Sequence, residues 1–193
     1  MDSGRTGAGG VDGRRLNDRN RGMTKRVFVM AAAVAALLAV AGCKPKAKEI
    51  SPLQRREAES LVSEAQFALS VRDLARAEAA FARAATLSPD IGDTWVQLGQ
   101  CRVKLGQRSA AKAAFQSALA IYEADAAGDA VNRVPATLRQ IYVLALLGRA
   151  DDARAVLARA RQALPDNAEL RGFEESRQID LMLASPVFKE VAL

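Results

Sequence analysis

The chain has 193 residues, 50% of them hydrophobic, 26% charged and 5% aromatic, with 40 alanines and no histidine. So much alanine with so few aromatics favours close-set helices over a β-rich fold, and the missing histidine removes the commonest general base and neutral metal ligand, leaving carboxylates, Lys, Tyr or one thiol for any catalysis. The formal charge of +6 sits mostly in the first 42 residues: without their seven bases and three acids, 21 bases and 19 acids remain, a net +2 that offers nucleic acid no basic face.

Residues 1–22 are rich in Gly, Arg, Asp and Asn, with Val11 and Leu16 as the branched apolar residues, and cannot bury a core, so they read as disordered. Met23-Thr24-Lys25-Arg26 then forms a short basic segment, followed by Val27 through Ala41, fifteen uncharged residues. That is the length of a secretory apolar region rather than of a membrane span. A start at Met23 yields a signal of conventional length, which places the first 22 residues upstream of the start; Arg14-Arg15-Leu16 as a twin-arginine signal is the weaker reading.

Val40-Ala41-Gly42-Cys43 follows the apolar run and resembles the bacterial lipoprotein lipobox. Small residues at Ala41 and Gly42 let the backbone enter a signal-peptidase cleft, and the Cys43 thiol is the nucleophile that takes a diacylglyceryl group. The resemblance implies cleavage before Cys43, acylation of its new amine and a membrane anchor, since each buried CH₂ contributes about 0.8 kcal/mol. A buried or chance cysteine in an uncleaved anchor is the other account of Cys43. Lys44 stands where many inner-membrane lipoproteins carry Asp, which points to the outer membrane, on its periplasmic face. Residues 43–54 read as anchor and linker, the Lys-Pro-Lys-Ala-Lys-Glu-Ile-Ser-Pro stretch from Lys44 to Pro52 serving as a solvated spacer.

Internal repetition decides the fold of the rest. Ala77-x3-Phe81 recurs as Ala111-x3-Phe115, a shift of 34, and as Ala153-x3-Leu157, a further shift of 42; Pro89 and Pro165, 76 apart, mark the same eight-residue insertion independently. Trp95-x2-Leu98-Gly99 stands in the middle unit, with Leu61 and Ala65 before it and Thr137 and Ile141 after it at matching places. The pattern resembles the tetratricopeptide repeat (TPR), with units at 58–91, 92–125 and 134–167, an insertion at 126–133, and the solenoid spanning 55–184. The resemblance implies an all-α, right-handed solenoid of helical hairpins. Turns are expected at Val71-Arg72-Asp73, Leu105-Gly106-Gln107 and Leu147-Gly148-Arg149, with glycine as the left-handed cap. Glu123 replaces the closing proline of the second unit, so its second helix is expected to run on until Gly128-Asp129. Thr137 and Ile141 leave the packing of the third unit the least defined. Leu170, Phe173, Ile179 and Leu183 give residues 168–184 the face of a capping helix, and the tail 185–193, with Val187, Phe188, Val191 and Leu193, either frays or docks back on the solenoid. Cys101, the other cysteine, reads as a small core residue, with a reactive thiol as the minority reading.

Repeats of this family bind extended peptides or helices along the concave face of their first helices. The corresponding positions are Val62, Gln66, Leu69 and Ser70; Val96, Gln100, Val103 and Lys104; and Leu138, Tyr142, Ala145 and Leu146. Gln66, Gln100 and Tyr142 fall at one level and form a row suited to a peptide backbone, with aliphatic residues beside it for side chains. The competing account packs some of these residues against neighbouring helices or the tail. The family's carboxylate clamp is absent: Val62 and Gln66 replace its Lys and Asn, and of its basic pair Pro135 and Arg139 keep one, so Arg139 reads as solvated or salt-bridged. Asp151-Asp152 and Glu174-Glu175 diverge by about 100° on a helix and make neither an acid/base pair nor a metal cage. No phosphate loop, nucleophile elbow or metal-ligand spacing appears. Together these readings imply a lipid-anchored envelope scaffold or adaptor without enzymatic activity, with a protein or peptide partner, no small-molecule substrate, and no cofactor beyond the lipid on Cys43. The alternative is a pilotin-like chaperone escorting a secretin, pilus or outer-membrane subunit, and a carboxylate hydrolase is the remote enzymatic rival.

Overall fold

The computed structural model describes residues 49–128 and 130–193. The leader, Val40, Ala41, Gly42 and Cys43 lie outside the described residues. Nine helices follow one another among the described residues, without a strand: α1 (Pro52–Ser70), α2 (Leu74–Leu87), α3 (Gly92–Lys104), α4 (Arg108–Ala127), α5 (Ala130–Leu146), α6 (Ala150–Ala163), α7 (Ala168–Glu175), α8 (Gln178–Ala184) and α9 (Pro186–Lys189). None of the described helices is long and apolar enough to cross a membrane. Consecutive helices pack on each other from α1 to α6, so the hairpins α1/α2, α3/α4 and α5/α6 stack into a TPR-like solenoid.

Side-chain caps mark where several of the helices start. The Ser51 hydroxyl accepts the Gln54 N–H at 3.2 Å while the Gln54 side chain accepts the Ser51 N–H at 2.9 Å, and Pro52 fills the first helical position. The first helix therefore begins at residue 52, taking in the last three residues of the stretch read as linker. Asp73 caps α2 through the Arg76 N–H at 3.0 Å, and Asn167 caps α7 through the Leu170 N–H at 2.9 Å.

The three hairpin turns share one geometry. A left-handed residue is followed by an amide that donates to the carbonyl five residues back: Asp73 to Ala68 at 2.8 Å, Gln107 to Arg102 at 2.8 Å and Arg149 to Leu144 at 2.9 Å. Gly106 (φ 76°) and Gly148 (φ 71°) meet this need without strain, whereas the first repeat places Arg72 at φ 60°.

Packing follows the repeat. Phe81 and Phe115 are fully buried, each worth about 2–3 kcal/mol of transfer free energy. Ala65, Ala77 and Ala111 are also fully buried beside them and let the backbones approach. In the third unit the volumes are redistributed: Ile141 is fully buried, Leu157 is nearly so, and Thr137 satisfies its hydroxyl on the Arg133 carbonyl at 2.7 Å. The third unit thus has a buried core of its own, although its two helices meet less extensively than those of the first two hairpins. Among the described residues of the insertion, Ala126 and Ala127 end α4 and residues 130–133 begin α5, so α4 reaches 20 residues against 14 for α2, and α5 reaches 17 against 13 for α3. Glu123 permits the first extension, and Gly128 ends it.

The C-terminal cap differs from expectation. Residues 168–184 form two short helices rather than one, broken where Arg177 adopts φ 52°. α7 packs on α6 and α8 on α5, so the bend carries the chain from the second helix of the last repeat across to its first. Leu170 and Ile179 are buried in the process, and the tail docks: Phe188 and Val191 are 7% and 9% exposed.

Candidate partner-binding groove

The first helices α1, α3 and α5 carry the residues assigned to the concave face, and the structure sorts these into three groups. Gln66, Ser70 and Lys104 are exposed. Val62, Leu69, Gln100, Val103, Leu138 and Tyr142 are half-buried. Val96, Ala145 and Leu146 are buried, in the same apolar cluster as Phe115 and Ile141. Val96 is therefore corrected from a groove residue to a core residue: the adjoining repeat closes over it, and it has no face left for a partner. The same holds for Ala145 and Leu146.

Of Gln66, Gln100 and Tyr142, the last two are joined by a hydrogen bond between α3 and α5. The Gln100 side-chain amide donates to the Tyr142 hydroxyl at 3.0 Å, joining the second repeat to the third. Burial pushes the Tyr142 phenol above its ordinary pKa, so at neutral pH it stays a neutral acceptor. Tyr142 does not face open solvent, because the ring of Phe188 meets it edge to face, centroids 5.7 Å apart and planes at 73°. A cleft of about 490 Å³ lies here, lined by Gln100, Lys104 and Tyr142 on the solenoid and by Leu181, Val187 and Phe188 on the C-terminal segment. A smaller hollow continues toward the first repeat along Leu69, Gln97, Gln100 and Lys104. Gln66 stands exposed on α1 beyond it.

Two features of this region were not visible in the repeat pattern. The first is the tail, whose Phe188 and Val191 form the far wall and cover of the cleft; their three-residue spacing behind Ser185-Pro186 is the one sequence signal for a docked helical turn. The second is a polar clamp between repeats. The Tyr122 hydroxyl donates to the Asp93 carboxylate, the Arg139 guanidinium lies 6.0 Å from the centre of the Tyr122 ring, and its Nε is 3.8 Å from Asp93. Burial and the Asp93 carboxylate push the Tyr122 phenol far above its ordinary range. Arg139 is thus salt-bridged, and Gly92 is required beneath the Tyr122 ring, where a Cβ would come within 2.6 Å.

Cys101 is free and buried on α3. Burial pushes its thiol up to about 11, against a smaller opposing pull from Lys104. Such a thiol is the reverse of an activated nucleophile. Asp151 and Asp152 are spent on surface ion pairs with Arg154 and Arg149, and Glu174 pairs with Arg161 at 3.1 Å. Among the described residues no group of carboxylates or thiols is placed to hold a metal ion.

No curated protein matches this sequence. Residues 92–125, the stretch occupied by α3, its turn and most of α4, do match the tetratricopeptide repeat family, over the same span that the internal repetition assigns to the second unit. A repeat of this kind is a protein–protein interaction module, typically without enzymatic activity, and the hairpin that the match covers carries Gln100 and Lys104: the chain is a TPR-like helical solenoid whose residues 92–125 match the tetratricopeptide repeat.

Proposed function

We infer that the chain is a lipid-anchored adaptor of the cell envelope that binds protein partners through the concave face of its repeats. The observation that carries the binding half is the cleft between α3 and α5, where an amide, a phenol and a lysine line a channel walled by aliphatic and aromatic groups. Polar groups at fixed spacing beside apolar walls suit a peptide backbone and its side chains. The anchoring half rests on the basic start, the apolar run and Val40-Ala41-Gly42-Cys43. An anchor confines the groove near the membrane and raises its effective concentration toward partners held there.

In-cell photocrosslinking tests the binding half. A photoreactive residue at Gln66 or Lys104, both exposed on the groove side, is expected to yield a discrete adduct, while one at Arg83, exposed on a second helix, yields none. Equal labelling at all three positions, or none, refutes the groove as the partner site. For the anchor, Cys43→Ala is expected to abolish incorporation of radiolabelled palmitate and to shift the chain from the membrane to the soluble fraction; unchanged fractionation and labelling refute lipidation at Cys43.

A further inference from the structure

The geometry points to residues 185–193 as a built-in ligand of the groove, and to a partner segment of the same chemistry, an aromatic residue followed three positions later by an aliphatic one, as what replaces it. The inference rests on the binding reading above and specifies its partner.

The cap is built in part before this segment begins, and the segment joins the same apolar cluster. Leu170 and Ile179 already cover the last repeat, through α7 on α6 and α8 on α5. Beyond Ala184 the chain turns at Ser185, whose hydroxyl caps a single turn through the Phe188 N–H at 3.4 Å, and lays that turn on the first-helix face. Three contacts seat it. Phe188 sets its edge against Tyr142, whose hydroxyl is held from the other side by Gln100. Val191 inserts into the apolar cluster that contains Ile141 and Leu146. The Leu193 N–H donates to the Leu146 carbonyl at 2.8 Å, a backbone bond at the C-terminal end of α5, where helical carbonyls have no intrahelical donor. An aromatic anchor, an aliphatic anchor three residues on, and a main-chain hydrogen bond are the elements of peptide recognition by a helical groove.

The seat is also incompletely filled and lightly tied. Val187 and Leu181 are 72% and 57% exposed along the rim, and open cleft remains on the Gln100 and Lys104 side. Lys189 and Glu190 face solvent, with no ion pair among the described residues. A segment held by the packing of Phe188, Val191, Ala192 and Leu193 and by one backbone bond opens more readily than the helices beneath it. While it is seated, the binding-competent fraction is small, and the apparent affinity for an outside peptide is reduced by that fraction.

A fluorescent synthetic peptide of residues 185–193 titrated into the full chain and into the full-length Phe188→Ala/Val191→Ala variant tests this. The variant is expected to bind the peptide about tenfold or more tightly than the unaltered chain, because its own segment no longer competes. Equal affinity for both, or no binding by a variant that circular dichroism shows to be folded, overturns the inference. Concentration-dependent dimers of the unaltered chain that the free peptide dissolves also overturn it, in favour of segments exchanged between two copies. Should the variant not fold, hydrogen exchange on the unaltered chain decides: the Leu193 amide exchanging far faster than the Leu144 amide supports a segment that opens locally, and equal protection of the two overturns it. The outcome is separable from the adaptor reading, which fails when nothing crosslinks at Gln66 or Lys104 even if the peptide binds the variant.

Discussion

Gly99 on α3 brings helix propensity and core packing into direct opposition. Replacing it with alanine removes the backbone freedom that glycine loses in a helix and contributes about 1 kcal/mol in favour of the fold. Against this, a Cβ at Gly99 would lie 2.4, 2.6 and 2.9 Å from three atoms of the Phe115 ring. Phe115 is 0% exposed, so the ring cannot step into solvent, and the helices must separate or the ring leave its rotamer. Overpacking of this kind costs about 1–3 kcal/mol, and with three contacts below 3.0 Å the upper part of that range applies. Gly99→Ala is therefore expected to destabilise by about 1–2 kcal/mol net, against the sign of its helix propensity. Urea unfolding followed by circular dichroism measures it, as a lower midpoint at unchanged slope. The double variant Gly99→Ala/Phe115→Leu supplies the control, since a smaller facing side chain makes the combined loss less than the sum of the single ones. A midpoint for Gly99→Ala equal to or above that of the unaltered chain would refute the reasoning, because it would mean that propensity outweighs the contact.

Arg72 occupies at φ 60° the place that glycine takes in the other two turns, so Arg72→Gly is expected to raise stability by about 1 kcal/mol in the same urea assay, and a lower midpoint would show that the exposed arginine side chain matters more than its backbone strain. Cys101 supplies a pH prediction: its folded pKa, about 11, lies above that of the unfolded chain, so folded stability is unaffected below the ordinary thiol range and declines as pH rises from there toward 11. That part of the decline is expected to vanish in Cys101→Ala when the two are compared pH by pH, and iodoacetamide is expected to label Cys101 in urea but not in the native chain at neutral pH; rapid native labelling would contradict its burial.

What could be read from the residues, and what could not, divides along the repeat. Ala77, Phe81 and their counterparts recur because stacked hairpins bury the same faces, so periodicity alone located the turns at Gly106 and Gly148 and the fully buried Phe81 and Phe115. The long α4 was legible for a complementary reason: Glu123 stands where a proline would have stopped it. Position-by-position transfer failed at Val96. Its place on the first helix matches groove residues elsewhere, but whether it shows depends on how closely the next repeat approaches, and with Ile141 large where Gly99 and Ala65 are small, the apolar cluster of the third unit extends over Val96.

The C-terminal segment lay beyond this logic, because it occurs once and its path depends on one backbone choice. A single helix over residues 168–184 would have continued along the edge of α6. Arg177 instead adopts a left-handed conformation that side-chain identity does not announce, its guanidinium pairs with Asp180 at 3.0 Å, and Asp180 in turn takes Arg154 of α6 at 2.9 Å. These exposed ion pairs lie at the bend where the chain turns from α6 toward α5. The physical consequence reaches the groove. The bent cap delivers Phe188 to Tyr142 and narrows the concave face at the third repeat, leaving the hollow along Leu69, Gln97, Gln100 and Lys104 open toward the first. The segment that closes the solenoid's apolar end thereby also sets how much of its concave face a partner meets first.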